Sequence, residues 1–256
     1  GNDSSPIGAR SSAMGGTSLV FTDIFSAFNN QAGLAHIDGI AVGLFSERRF
    51  FVEGVNLHAG AVAFGTNSGT FGLSVDYFGF SAYNEKKIGL AYARKFGDNV
   101  SAGIQFDYLQ TAITEYGTRN SFTFEAGILF NVIPELQFAA HVFNPVRMDL
   151  SEDGQDKLPT VMNFGAAYTF SEKVMIAAEV EKDLDYDMMF KVGVEYQIIE
   201  MLELRAGVST NPTLVSFGAG LNFKTLDIDL AGSYHQVLGF TPGVSVAYIF
   251  ERNKKD

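Results

Sequence analysis

The 256 residues carry 18 Lys+Arg against 29 Asp+Glu, a formal net charge of −11, with 24 Phe, 10 Tyr, 27 Gly and no Cys. That balance leaves no basic stripe for a nucleic-acid partner, and the missing thiols exclude disulfides, zinc thiolate sites and thiol chemistry. An aromatic content of 13% beside only 18% charged residues is unlike a water-soluble domain, where about a quarter are charged.

Residues 1–7 read as a lead-in. No basic apolar leader opens the chain, so any secretory leader is expected to have been removed already. From Gly8 to Ala35 the sequence is dense in Gly, Ala and Ser and shows no sustained alternation. Asp23 is an acceptable N-cap, and Ile24 and Phe28 fall at helical spacing, which predicts a short helix over 23–28.

After Gly39 the pattern changes to about fourteen strand-like segments. In 71–77, Phe71, Leu73, Val75 and Tyr77 share one face; in 190–198, Phe190, Val192, Val194, Tyr196 and Ile198 do. Successive strand side chains point to opposite faces, so each segment has one apolar and one polar or small face. No apolar run approaches the ~18 residues of a transmembrane helix, so a membrane-embedded chain of this kind crosses as strands.

The connections alternate. Every second one is short and follows an aromatic: Phe96, Phe130, Phe170, Tyr196 and Phe223. The intervening ones, 79–87, 110–121, 144–158, 181–188 and 209–213, are longer and more polar. Short turns on one side, longer loops on the other and aromatics at the turn side are the pattern of an outer-membrane barrel. The expected fold is a fourteen-stranded antiparallel transmembrane β-barrel over 39–250, with 251–256 as a periplasmic tail. Fourteen strands enclose more space than their own side chains fill, since about eight suffice for that. Residues 1–38 are therefore expected to lie in the lumen as a plug, or hatch. An even strand number places both termini on the periplasmic side. The last segment, with Gly243, Val246, Tyr248 and Phe250, resembles the C-terminal assembly signal of outer-membrane proteins.

Within the opening stretch, Gly8, Ala9, Arg10, Met14, Gly15 and Gly16 are followed by Asp23, then by Asn30, Gln31, Ala32 and Gly33. This arrangement is similar to the N-terminus of FadL-like and PorV-like outer-membrane barrels, with Gln31 where that family usually has Pro. The resemblance is sharp over 8–35 and architectural elsewhere. It implies a fourteen-stranded barrel with an N-terminal hatch. The first functional reading it implies is a non-enzymatic subunit of an outer-membrane export complex, as PorV-type proteins are for type IX secretion. The alternative is a FadL-like channel for hydrophobic small molecules. The partners implied are outer-membrane lipid, a larger membrane complex and, in the alternative, a hydrophobic ligand.

The inward faces carry Asp76, Asp107, Glu125, Glu179, Glu181, Glu195, Glu203, Asp227 and Asp229 against Arg49, Lys191 and Arg205. Such a set makes either a cation-preferring pore or a charge network that anchors the plug. Glu203 and Arg205, two apart on one face, favour the network, with Arg10 as a partner. His36, His58, His141 and His235 have no metal-ligand spacing. His141 and His235, with Asp229, have no nucleophile fixed beside a base. No enzyme activity, cofactor or metal is expected. Acid-rich 149–156 looks like a calcium loop, but Thr160 stands where the closing bidentate Glu is needed.

Overall fold

The structure is a computed structural model and describes residues 5–147 and 158–250. The acid-rich 149–156 run and the 251–256 tail lie outside the described residues. Among the described residues, fourteen antiparallel strands close into one barrel. β1 (Ile40–Arg48) pairs with β14 (Gly239–Phe250), from Ile40 opposite Phe250 to Glu47 opposite Gly243. Between them run β2 (Asn56–Thr66), β3 (Gly69–Phe80), β4 (Tyr83–Phe96), β5 (Val100–Ile113), β6 (Gly117–Ile133) and β7 (Leu136–Phe143). β8 (Val161–Phe170), β9 (Val174–Asp183), β10 (Met189–Ile199), β11 (Leu202–Ser209), β12 (Leu214–Phe223) and β13 (Leu226–His235) complete the wall. Closure pairs both edges of every strand, which an apolar solvent demands because it offers backbone N–H and C=O groups no other partner.

The alternation sorts cleanly. Leu44, Ile104 and Phe164 face outward and are 64%, 62% and 61% exposed, an apolar surface that water would disfavour. Inward positions are small: Ala41, Ala59, Ala61, Ala63, Ala91 and Ala93 are buried. At the short-turn rim, aromatics pair along the wall, with Tyr168–Phe170 and Tyr248–Phe250 ring centroids each 4.5 Å apart.

Several connections differ from the sequence expectation. The stretches 79–87 and 110–121 are not long loops. β3 runs to Phe80 and β4 starts at Tyr83; β5 runs to Ile113 and β6 starts at Gly117. Their polar residues obscure the period, but the ladder needs only backbone pairing, which continues from Phe80 opposite Tyr83 and from Ile113 opposite Gly117. β4, β5 and β6 contain 14, 14 and 17 residues, more than the ~9–11 that span a bilayer. This side of the barrel therefore rises above the rest of the long-loop rim. β7, beside β6, has 8 residues.

Residues 6–37 lie against the inward faces. The helix α1 (Ala9–Ala13) packs on β11–β14, and a 3-10 turn over Gln31–His36 packs on β3–β6. The expected helix over 23–28 is displaced: α2 is Ser26–Asn29, with Phe25 rather than Asp23 at its N-cap. The Asp23 side chain instead accepts the Phe25 N–H at 2.8 Å and shapes the approach to that turn. These helices are too short to persist alone; the wall holds them. The fit is complementary in size. Ile7, Ile24, Phe25, Phe28 and Leu34 fill the space left by the alanines of β1, β2 and β4.

Candidate functional site: the barrel interior

The interior is organised by two charge networks on opposite walls. In the first, Arg205 of β11 lies almost wholly buried among three carboxylates. Its guanidinium donates to Glu195 and Asp229 at 2.6 Å each and to Glu203. Arg10 of α1 meets the same Glu195 as a fork, Nε to Oε2 at 2.8 Å and Nη2 to Oε1 at 2.6 Å. The Arg10 guanidinium also lies 4.1 Å from the centroid of the Phe21 ring and 3.8 Å from Asp23. Bidentate geometry makes this a directional tie between segment and wall. Asp227 lines a small cavity of about 80 Å³ beside the network.

In the second, Lys87 of β4 donates to Glu125 of β6 at 2.8 Å. Gln31 of the segment donates to the other Glu125 oxygen at 2.6 Å, and His141 Nε2 stands 3.1 Å from it. Gln105 donates to Asp107 at 2.8 Å. Gln31 thus supplies a side-chain tie that a Pro at this position could not make.

Other predicted residues act through the backbone. Glu179 lies opposite Lys191 in the ladder, but Lys191 makes its close ion pair with Glu181, and Glu179 accepts the Ser18 and Leu19 N–H groups at 2.5 and 2.6 Å. Asn30 donates to Leu19 O at 2.7 Å and accepts the Ala32 N–H at 3.2 Å. Lys191 pairs with Glu181 at 2.7 Å. Arg49 is not an inward strand residue. It lies in a turn past the end of β1 and donates to Glu47 at 3.1 Å and to Ser5 at 2.8 Å. Gly8 would place a Cβ 3.1 Å from the Phe25 ring, and Gly33 would place one against Phe21 O and Ser26. Ala9, Met14 and Ala32 are fully buried, and Gly16 sits beside Lys191. In β14, Val246, Tyr248 and Phe250 face outward, and Gly243 pairs with Glu47.

Lys87, Gln105 and Asn29 were missed in the sequence. Lys87 shares strand parity with Gly89, Ala91 and Ala93, so extending β4 outward would have placed it inside. Asn29 closes the segment on itself, donating to Ile7 O at 2.8 Å and accepting the Ile7 N–H at 3.0 Å. Among the described residues, no group of three or more His, Asp and Glu is arranged to hold a metal ion.

Two chambers lie between the segment and the long-loop rim. The larger, about 440 Å³, is bounded by Gly15, Gly16, Phe50, Tyr186, Met189 and Leu238. The smaller, about 220 Å³, is bounded by Phe28, Leu57, Phe78, Leu109 and Phe143, with Asp76, Glu125 and His141 at its polar side. Arg49 and Ser5 border both.

Burial raises the Asp23 pKa above its usual value, with Arg10 opposing and Asp229 adding to the rise. A carboxyl whose folded pKa is raised favours the folded state fully below the unfolded value, and this is lost as pH rises through the folded value. Asp23→Asn keeps an acceptor for the Phe25 N–H and removes the buried charge. The variant is expected to match or exceed the parent's urea midpoint at pH 7. It should also lack the parent's loss of stability on going from pH 4 upward that comes from this group. A lower midpoint at pH 7 would show that the Arg10–Asp23 attraction outweighs the desolvation.

No protein-family model matches the sequence, and no curated protein matches it. Solved structures do share its fold. It is similar to the CymD monoaromatic hydrocarbon channel, with TM-score 0.73 and 13% identity over 96% of this chain and 98% of that one. It is similar to the P. putida toluene transporter TodX, with TM-score 0.74 and 15% identity over 98% and 100% of the two chains. It is also similar to a Pseudomonas aeruginosa FadL homologue, with TM-score 0.69 and 16% identity over 96% and 98%. At these identities the likeness is one of fold.

Proposed function

We propose that this chain is an outer-membrane barrel, plugged by its N-terminal segment, that admits hydrophobic small molecules. The observation that carries the reading is the pair of chambers above the segment, the larger mainly apolar and the smaller lined by apolar and charged side chains together. A lumen filled to the rim would leave a ligand no place. The fold likeness to CymD and TodX supports the same reading, which the sequence ranked second to a secretion-complex subunit. In this reading Arg10, Gln31 and Asn30 seat the plug, and the Arg205 and Glu125 networks are its anchors. Both termini face the periplasm, and β14, ending in Tyr248 and Phe250, is the assembly signal.

The test is uptake. Cells whose outer membrane carries the barrel are exposed to radiolabelled toluene and to radiolabelled octane, beside cells with the empty vector. Uptake of at least one above the vector level is expected. Uptake of both at no more than the vector level, together with co-migration of the barrel in a larger envelope complex in mild detergent, would overturn the proposal in favour of the subunit reading.

A further inference from the structure

The smaller chamber is as much polar as apolar, with Asp76, Glu85, Glu125 and His141 in its lining beside Phe28 and Phe143. Among the described residues, its inward cations Lys87 and Arg49 are already engaged. Lys87 is paired with Glu125 at 2.8 Å and its ammonium lies 5.7 Å from the Phe143 ring. Arg49 is paired with Glu47 at 3.1 Å and stands 4.7 Å from the Phe78 ring. Lys86 is on the opposite parity, exposed, with its ammonium 6.0 Å from the Tyr77 ring. The acceptors are a different matter. Asp76 Oδ1 and His141 Nδ1 are both buried and without a hydrogen-bond partner. His141 as a whole is only 6% exposed.

The hydrogen positions follow from chemistry. The Glu125 carboxylate accepts from Lys87 and Gln31, so at its 3.1 Å contact it accepts from His141 as well, and Nε2 carries the proton. Nδ1 is an acceptor whenever the ring is neutral. Buried acceptors left unpaired are costly, and a ligand that supplies donors recovers that cost. A carboxylate head supplies none, and among the described residues the inward cations Lys87 and Arg49 are both taken.

We propose that the smaller chamber takes an amphiphile whose head donates hydrogen bonds, a primary alkylamine above all, in preference to a carboxylate of the same chain length. This rests on the hydrophobic-ligand reading above and narrows it. The apolar tail lies against Phe28, Leu57, Leu109 and Phe143, and the head meets Asp76 and His141.

The test uses the whole barrel in nanodiscs of neutral lipid, with empty discs as the blank. Octylamine, 1-octanol and octanoate are titrated at pH 7.5 by calorimetry. Octylamine is expected to bind about tenfold more tightly than octanoate, with octanol between them. In Asp76→Asn the amine-to-carboxylate ratio is expected to fall by about the same factor. His141→Leu removes the second acceptor and gives the same test if the Asp76 variant does not assemble. Octanoate binding as tightly as octylamine, with the ratio unmoved in both variants, would overturn the inference and leave the hydrophobic-ligand reading standing. No binding of any of the three would count against both.

Discussion

Gly207→Val is expected to leave the barrel assembled and to unseat the segment inside it. Gly207 of β11 is opposite Gly193 of β10 in the ladder, and Gly15 passes across this pair. A Cβ built on Gly207 would strike the Met14 carbonyl carbon and the Gly15 nitrogen, and one on Gly193 would strike the Met14 carbonyl oxygen. From the other side, a Cβ on Gly15 would lie 2.6 Å from Val208 N and 2.8 Å from Val192 O, and the Gly15 φ of 70° favours glycine in its own right. These are backbone-on-backbone contacts, so no side chain can swing away. Ordinary overpacking costs about 1–3 kcal/mol. Here the strand would keep its ladder, which suits Val, and the segment would yield. The expected readouts are a barrel that still shifts with heating on a gel, cleavage by added protease ahead of Gly39, and conductance steps in planar bilayers that the parent lacks. Ser209→Val, two residues nearer the long-loop rim, faces the larger chamber and is expected to keep the parent's behaviour. A Gly207→Val protein as protease-resistant and as silent as the parent would refute this seat.

That seat explains why the opening stretch could be singled out from sequence while its contacts could not. The shift from Gly- and Ala-rich 8–35 to steady alternation after Gly39 marks a change of role, and barrel closure follows from period two and alternating turns. Wall strands report their inward face by parity, which places Asp107, Glu195, Arg205 and Asp229 without a structure. Three things are not written that way. The register between distant segment and wall fixes which acid meets Arg10, and Glu195 is 185 positions away. Polar residues above the bilayer lose the apolar alternation while the ladder goes on, which hid β4 and β5 as far as Tyr83 and Ile113 and hid Lys87 with them. Backbone donors carry no sequence signature, so parity places Glu179 on the inward face but cannot name the Ser18 and Leu19 N–H groups as its partners. Whether a chamber remains depends on volumes left over after packing. In the sequence the apolar residues Phe28, Leu57, Leu109 and Phe143 belong to four separate elements.

Arg205→Leu is expected to be the most damaging single change to the wall. The Arg205 side chain is 2% exposed and is the shared donor to Glu195, Glu203 and Asp229. Glu195 keeps Arg10 when Arg205 is removed. Asp229 keeps the Ser245 hydroxyl at 3.2 Å, a neutral donor in place of a cation. Removing one partner of a buried ion pair costs about 3–5 kcal/mol because the other charge is left behind. The loss is expected in that range as a lower urea midpoint for the heat-shifted band. Arg205→Lys keeps the charge and loses the fork that reaches three carboxylates, so it should fall between parent and Leu variant. The diagnostic step is to remove the stranded charges as well. The triple change Arg205→Leu, Glu203→Gln, Asp229→Asn leaves Glu195 with Arg10 and removes both carboxylates that lose their cation, and most of the lost stability should return. Acidification, which neutralises carboxylates lacking a cation, should likewise narrow the gap between the single variant and the parent. A single variant with the parent's midpoint would mean that the desolvation of four charged groups already cancels their attraction. A triple variant no better than the single would mean that the guanidinium acts chiefly through its packing against Gly220, whose absent Cβ would lie 2.6 Å from Arg205 Nη1.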